Sequence, residues 1–187
     1  MNSRFVCTGG PGAGKTTVLE ALQARGHRFT TESARTIIED RLRRGLSPRP
    51  EPKEFAQLIL ELELCKYAEH FDKQKPTFFD RGVLDAIQML KAIDALSYDD
   101  MTGYIDQYRY NSLVFIFPPW AEIYRTDEER DQTFEESVSV FTAIRDWYSI
   151  NGYELIDVPR VGVEDRAAFI ADAASKALTS SATKTRL

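Results

Sequence analysis

An eight-residue run, GGPGAGKT at positions 9–16, lies between a short apolar segment and a helical one. The run fits the pattern G-x-x-x-x-G-K-[ST]. Its glycines permit positive φ angles, so successive backbone N–H groups can converge on an anion, and the following helix adds the positive end of its dipole. In such a loop the lysine, here Lys15, reaches the β- and γ-phosphates, and the hydroxyl of Thr16 binds Mg²⁺. The run therefore predicts a nucleoside triphosphate site.

The predicted nucleotide-binding residues lie in this loop and in the first turn of the helix after it, with one arginine from later in the chain. They are Gly9, Gly10, Pro11, Gly12, Ala13, Gly14, Lys15, Thr16, Thr17 and Arg130. A dinucleotide-binding loop is excluded, because the pattern G-x-G-x-x-G is not present.

Length and composition narrow the class of protein. The 187 residues suffice for one domain with a substantial core, and the formal net charge of −5 disfavours a nucleic-acid partner, which needs a basic surface. No apolar run reaches the ~18 residues that span a bilayer, so no membrane association is expected. Cys7 and Cys65 are isolated and predict reduced thiols in the core. A strand predicted close to the first residue leaves no room for a signal peptide. We expect a cytoplasmic protein, monomeric or homodimeric.

Short apolar runs alternate with helical patterns, which is typical of an α/β protein with a parallel sheet. The predicted strands are 4–8, 28–31, 77–80, 113–117 and 153–156, and the predicted helices are 17–24, 36–44, 54–71, 83–96, 134–150 and 164–178. On the helix at 54–71 the predicted buried face carries Phe55, Leu58, Ile59, Leu62 and Cys65. We expect a single domain over 1–179, with a lid near 118–131 and a flexible tail at 180–187.

A carboxylate and an arginine follow the third predicted strand. Asp80 ends that strand and Arg81 comes next, with Asp85 one helical turn further on. A carboxylate at this position, beside a phosphate loop, can hold the Mg²⁺ shell or accept a hydroxyl proton, and the arginine can neutralise phosphate charge. The alternative is that Asp80 only caps the helix that begins near residue 83.

The second predicted strand is also followed by polar groups, in the run Glu-Ser-Ala-Arg from Glu32 to Arg35. Because the carboxyl ends of parallel strands share one edge of the sheet, we expect Glu32 to face the place where a phosphate acceptor binds. The alternative is an ordinary acidic residue at a helix N-terminus, which the helix dipole favours.

The fourth predicted strand is followed by the charged segment predicted to form the lid. Arg125 and Arg130 are placed there to close over a transferring phosphoryl group and stabilise its charge. The alternative is a solvated helix face held by pairs such as Asp127 with Arg130. His27 and His70 have no Cys or His partner at metal-ligand spacing, so no zinc site is expected.

The order of these motifs resembles that of P-loop kinases acting on nucleosides and nucleoside monophosphates. More closely, the chain is similar to a family of small P-loop proteins of the AAA type that includes nicotinamide-riboside-kinase-like domains. The resemblance covers roughly residues 4–175 and implies a three-layer fold, with a five-stranded parallel sheet in the order 2-3-1-4-5 and helices on both faces. It also implies phosphate transfer from ATP with Mg²⁺. The resemblance does not identify the acceptor.

Together these features predict an ATP- and Mg²⁺-dependent phosphotransferase for a small molecule that is nucleoside-like or a related metabolite. In this interpretation Lys15 and the loop hold the phosphates, and Thr16 and Asp80 are the metal ligands. Either Glu32 or Asp80 is the base, and the remaining polar groups orient the acceptor or close the lid; they are Arg81, Arg35, Asp85 and Arg125. Two alternatives stay open, a nucleotide-dependent switch that acts through a protein partner and a toxin-like kinase for a cell-wall sugar nucleotide.

Overall fold

The computed structural model describes residues 2–69, 71–124 and 133–184, and in these ranges the chain forms five strands and seven helices. The strands are β1 (Arg4–Gly9), β2 (Arg28–Thr30), β3 (Thr77–Asp80), β4 (Leu113–Phe117) and β5 (Glu154–Asp157). The helices are α1 (Lys15–Ala24), α2 (Ser33–Arg43), α3 (Pro52–Ala68), α4 (Val83–Ala92), α5 (Tyr98–Gln107), α6 (Phe134–Ile150) and α7 (Val163–Lys184).

All five strands form one parallel sheet in the order β2-β3-β1-β4-β5. β1 lies in the centre, where Cys7 pairs with Asp80 on β3 and with Phe115 on β4. The predicted α/β class and strand order are thus confirmed. This register places the end of β1, from which the phosphate loop leaves, beside the end of β3, which carries Asp80.

The three central strands of the sheet, β1, β3 and β4, are buried on both faces. On one face the side chains of Phe5, Cys7, Phe78 and Phe115 are completely buried and form one apolar cluster with residues of α1 and α7. The residues that alternate with them along the strands point to the opposite face and are also completely buried; they are Val6, Phe79, Val114 and Ile116. Burial on two faces explains the near-continuous apolar runs of these strands, since each fully buried aromatic or branched side chain contributes roughly 1.5–3 kcal/mol.

The chain divides into two compact units. Unit 1 consists of Met1–Thr30, Phe71–Asp80 and Tyr110–Leu187 and contains the whole sheet with α1, α6 and α7. Unit 2 consists of Thr31–His70 and Arg81–Arg109 and contains α2 to α5. Within unit 2, α3 packs against both α2 and α4, and α4 also packs against α5.

Three local predictions about helices were wrong. α5 was not predicted, because Ile105 is its one buried residue and no apolar stripe marks it. The buried face of α3 carries Ala56, Ile59, Leu60 and Glu63 instead of the predicted stripe, and Cys65 is exposed. α7 continues to Lys184, beyond the predicted end at 178.

The two cysteines, Cys7 and Cys65, are free thiols, and Cys7 is buried as predicted. The predicted core position of Cys65 was wrong, because its side of α3 is exposed. Burial is the main cause that raises the pKa of the Cys7 thiol well above its ordinary value. None of the helices described is long and apolar enough to cross a bilayer.

Candidate functional site

The phosphate loop in unit 1 has the backbone shape that its glycines permit. Gly9, Gly12 and Gly14 have φ angles of 138°, 73° and 76°. Gly14 is also the N-cap residue of α1, which begins at Lys15. The positive end of the α1 dipole and the N–H groups of its first turn therefore lie at the loop, as an anion site requires.

Gly9 admits no side chain, so we expect Gly9→Ala to lower the free energy of unfolding. A Cβ atom at this residue would lie 2.5 Å from the backbone oxygen of Phe117, and the φ angle of +138° is rare for residues with a side chain. Backbone strain and the forced contact together are expected to cost about 2–4 kcal/mol, measurable by urea denaturation.

Two other glycines serve as controls for Gly9→Ala. Gly26 has a φ angle of 86° but an added Cβ meets nothing within 4 Å, so Gly26→Ala measures the cost of positive φ alone. Gly103 lies in α5, also with open space around it, and Gly103→Ala is expected to stabilise the protein by about 0.5–1 kcal/mol. A Gly9→Ala protein no less stable than Gly26→Ala would contradict the role assigned to the Phe117 contact.

Lys15 and Thr16 place a cation and a hydroxyl at the same point. The side chain of Lys15 is buried, and its Nζ donates to the carbonyl oxygens of Gly10 at 3.0 Å and Gly9 at 3.4 Å. Thr16 Oγ1 donates to Asp80 Oδ2 at 3.4 Å. The side chain of Asp80 is almost completely buried at the end of β3. The structure thus brings together three of the residues that the sequence singled out.

The oxygens of Thr16 and Asp80 suit Mg²⁺. A hydroxyl and a carboxylate are hard oxygen donors, and Mg²⁺ in nucleotide sites typically takes one or two such protein ligands and completes its shell with phosphate and water. In the part of the chain that the structure describes, no group of three or more His, Cys, Asp or Glu side chains is arranged to hold a metal ion. This donor set therefore fits a magnesium ion that arrives with a nucleotide better than a metal caged by protein alone.

Trp120, which follows β4, and Arg166, in the first turn of α7, lie close to the phosphate loop of unit 1. The guanidinium of Arg166 lies 5.3 Å from the ring centroid of Trp120, and its Nη1 donates to the carbonyl oxygen of Ala13 at 3.3 Å. A cavity of about 570 Å³ is lined by Pro119, Trp120, Ala121, Glu122, Phe134 and Arg160. Its size falls in the range of small-ligand sites.

Arg81, at the start of the second part of unit 2, connects two carboxylates. Its φ angle of 69° is uncommon for a residue with a side chain. Arg81 Nε donates to Glu32 Oε1 at 2.9 Å, and Nη1 lies 3.4 Å from Asp85 Oδ1. All three side chains are at least partly shielded from solvent. Such backbone strain is typical of functional sites, where surrounding contacts hold a side chain in one direction.

The cluster bears on the capping alternatives raised for Asp80 and Glu32. The N-cap residue of α4 is Gly82, and its N–H donates to Asp85 Oδ2 at 3.0 Å, so Asp85 makes the capping bond. Glu32 is the N-cap residue of α2, yet its side chain makes no capping bond and binds Arg81 instead. The side chains of Asp80 and Glu32 are thus directed to other partners.

A second polar cluster in unit 2 involves the residues on either side of Glu32. Ser33 Oγ donates to Glu63 Oε1, and Lys66 Nζ donates to Ser33 Oγ at 2.7 Å, to Glu63 at 3.3 Å and to the carbonyl oxygen of Thr31. Ser33 and Glu63 are buried. Within the described residues, Glu63 Oε2 has no hydrogen-bond partner. The cluster holds the backbone from which Glu32 projects.

Glu63 is expected to make the stability of the protein depend on pH. Burial, opposed by Lys66 and Ser33, raises its pKa from the ordinary 4.5. Because the pKa is higher in the folded state, the contribution of Glu63 to stability is present below about pH 4.5 and is lost as the pH rises through the folded pKa. Since Gln does not titrate, Glu63→Gln should gain stability relative to the unmodified protein over this rise. Urea denaturation from about pH 4 to 8 measures the difference.

The matched control is Glu61→Gln, because Glu61 lies on the same helix and is exposed. Its urea midpoint shows what a change from glutamate to glutamine does at an exposed site of α3. Parallel pH profiles for Glu63→Gln and the unmodified protein would show that Glu63 is not responsible.

Three further predicted site residues are arginines, Arg35, Arg125 and Arg130. Arg35 is half-buried in the first turn of α2. Arg125 and Arg130, with the second half of the predicted lid, lie outside the described residues.

Glu63, Lys66 and Arg166 were not predicted from the sequence as site residues. Glu63 carried one readable signal, since it lies four residues after Ile59 and seven after Ala56 and therefore falls on an apolar face of α3.

The sequence matches the model of the AAA domain family over residues 4–166. No curated protein sequence matches the chain.

Several solved structures have the same fold. Deoxyadenosine kinase from M. mycoides with bound dATP superposes with a TM-score of 0.60 at 17% identity, covering 91% of this chain and 97% of that one. The NadR protein in complex with NR gives 0.63 at 17%, covering 94% of this chain and 50% of that one. Shikimate kinase from Aquifex aeolicus gives 0.51 at 18%, covering 91% and 94%. At such identities the likeness concerns the fold.

Proposed function

This chain belongs to the AAA domain family, and from its site geometry we propose that it is a P-loop phosphotransferase, which moves a phosphoryl group from ATP to a hydroxyl of a small molecule. The observation that carries the proposal is the pair of consecutive residues at the end of β3. Asp80 is hydrogen-bonded to Thr16 of the phosphate loop, and Arg81 is hydrogen-bonded to the carboxylate of Glu32. One peptide bond thus joins a metal-ligand candidate, Asp80, to the arginine that holds the base candidate Glu32.

The donor nucleotide binds at the loop of unit 1. Lys15 and the loop N–H groups hold the β- and γ-phosphates, and Thr16 and Asp80 hold Mg²⁺ directly or through water. The bound Mg²⁺ supplies charge neutralisation on the phosphate oxygens. The cavity beside Trp120 has room for the base of the nucleotide.

The acceptor is oriented by polar side chains of unit 2. Glu32 accepts the proton of the attacking hydroxyl, and Arg81 fixes that carboxylate through a charge-assisted hydrogen bond. Asp85 and Arg35 bind other polar groups of the acceptor. From the sequence, Arg125 and Arg130 stabilise the charge of the transferring group. Because the transition state of phosphoryl transfer is loose, positioning and electrostatics supply most of the acceleration.

The names of the similar structures support a small polar acceptor, since they include a deoxyadenosine kinase and a shikimate kinase. Two carboxylates and an arginine in one cluster suit a ligand with several hydroxyl groups, because carboxylates accept and guanidinium groups donate hydrogen bonds. A nucleoside-like acceptor is therefore favoured. A nucleotide-dependent switch, the rival function, needs no such cluster.

The test is acceptor-dependent formation of ADP. The full chain is incubated with ATP and Mg²⁺, with deoxyadenosine, NR or shikimate, and then with a fractionated metabolite extract. ADP is followed by a coupled assay, and the phosphorylated product by mass spectrometry. We expect at least one acceptor to raise ADP formation well above the background hydrolysis. If ATP binds but no acceptor accelerates its turnover, and a protein partner does, the protein is a switch and the proposal is wrong.

A further inference from the structure

A buried arginine, Arg166, lies against the phosphate loop and belongs to no group of residues assigned so far. It is the fourth residue of α7, and its side chain is 5% exposed. Nη1 donates to the carbonyl oxygen of Ala13 at 3.3 Å. A Cβ atom at Gly14 would lie 3.0 Å from Nη1 and 3.4 Å from Nη2, so the guanidinium touches the loop where only glycine leaves room.

The hydrogen bond to Ala13 fixes the direction of a loop N–H group. In a trans peptide the C=O of Ala13 and the N–H of Gly14 point to opposite sides. No peptide bond in the described chain is cis. Because Arg166 holds the carbonyl on its own side, the N–H of Gly14 is directed away from Arg166. The bond thus orients a donor of the anion-binding loop, which binds phosphate through such N–H groups.

The charge of Arg166 is not balanced in the described part of the protein. Among those residues no carboxylate lies within 4 Å of it, and its Nε has no hydrogen-bond partner. Its position in the first turn of α7 also sets it against the positive end of that helix dipole. Burial lowers the pKa of the guanidinium from its ordinary value, with no carboxylate raising it. A buried cation without a counter-charge is unfavourable unless an anion arrives.

We infer that Arg166 is a positioning residue for the nucleotide phosphates: it orients the Ala13–Gly14 peptide of the loop, and its buried charge is balanced by the phosphates of a bound nucleoside di- or triphosphate. The inference rests on the nucleotide-binding half of the proposed function and not on phosphoryl transfer. It accounts for the polar contact to the loop and for the missing counter-charge. The ring of Trp120, through its cation–π contact, holds the guanidinium in place.

The test compares Arg166→Met, which removes the charge and keeps much of the volume, with Arg166→Lys, which keeps the charge. ADP is titrated calorimetrically into each variant of the full chain, and the urea midpoint is measured without nucleotide. For Arg166→Met we expect ADP affinity to fall about ten- to fiftyfold, the order for a unit charge near phosphate at an effective dielectric of about 20. The urea midpoint without nucleotide should stay at or above that of the unmodified protein, because an unbalanced buried charge has been removed.

Arg166→Lys and a variant of Arg145 show whether a loss of ADP affinity comes from the missing charge or from a disturbed structure. If Arg166→Met loses both ADP affinity and stability, the result for Arg166→Lys decides. An ADP affinity of Arg166→Lys within about threefold of the unmodified protein supports the inference, and an affinity as low as that of Arg166→Met overturns it. Arg145→Met is the matched control, because Arg145 is bound by the carboxylate of Asp157, and its ADP affinity should not change. Unchanged ADP affinity in Arg166→Met overturns the inference alone. If the unmodified protein binds no ADP, both the inference and the proposed nucleotide site are wrong. If it binds ADP but no acceptor reacts, only the proposed kinase activity is wrong.

Discussion

Glu32→Gln is expected to lower kcat by about two to four orders of magnitude while the affinity for ATP changes less than about threefold. Glutamine has nearly the same shape as glutamate and keeps an oxygen that can accept the hydrogen bond from Arg81 Nε, which measures 2.9 Å in this structure. It cannot take up the proton of the attacking hydroxyl. The chemical step should therefore slow, whereas the phosphate loop of unit 1 keeps all of its own contacts.

The measurement is steady-state turnover with the acceptor that the ADP assay identifies, together with calorimetric binding of ATP. Glu39→Gln is the matched control, since Glu39 is an exposed glutamate on the same helix α2. It should turn over at the normal rate. If Glu32→Gln keeps more than about a tenth of the normal kcat, Glu32 is not the base. Asp80 is then the candidate, and Asp80→Asn should change both turnover and the Mg²⁺ concentration that saturates it.

The phosphate loop was readable from sequence because it is local. Eight consecutive residues carry the pattern, and their glycines, lysine and threonine each have a direct backbone or chemical reason. The carboxylate of Asp80 was readable for a related reason, since the carboxyl end of a buried strand is a defined place in a parallel sheet. The pairing of Cys7 with Asp80 then sets the end of β3 beside the start of the loop.

The parts that could not be read depend on packing between distant segments. α3 has leucines on several sides, so its sequence does not define one apolar face. The packing of α3 against α2 and α4 determines which face is buried, and Glu63 lies on that face. Arg166 lies 153 residues from Ala13 in sequence, and nothing around it in α7 distinguishes it from a surface arginine. Ion pairs such as Arg81 with Glu32 likewise join strand ends that the sequence separates by 49 residues.

Lys15→Met is expected to lower the affinity for ATP by about tenfold or more, because a charge-assisted hydrogen bond contributes roughly 1.5–3 kcal/mol to binding. It is also expected to lower kcat/KM by about three orders of magnitude or more, because the lysine charge stabilises the transition state further. The Nζ of Lys15 is buried against the carbonyl oxygens of Gly9 and Gly10, so the cation is already held at the loop. Methionine fills much of the same space without the charge. Turnover and ATP titration measure the two effects separately.

The control for Lys15→Met is Lys176→Met, the same change at an exposed lysine of α7 in the same unit. It should leave both constants within about twofold of normal, since an exposed charge away from the loop is screened by solvent. The urea midpoint of Lys15→Met without ATP should also remain near normal, because methionine keeps much of the packing at this buried position. A collapse of that midpoint would mean that Lys15 supports the loop itself. A loss of ATP affinity with a normal urea midpoint would instead mean that the buried cation of Lys15 binds the phosphates of ATP.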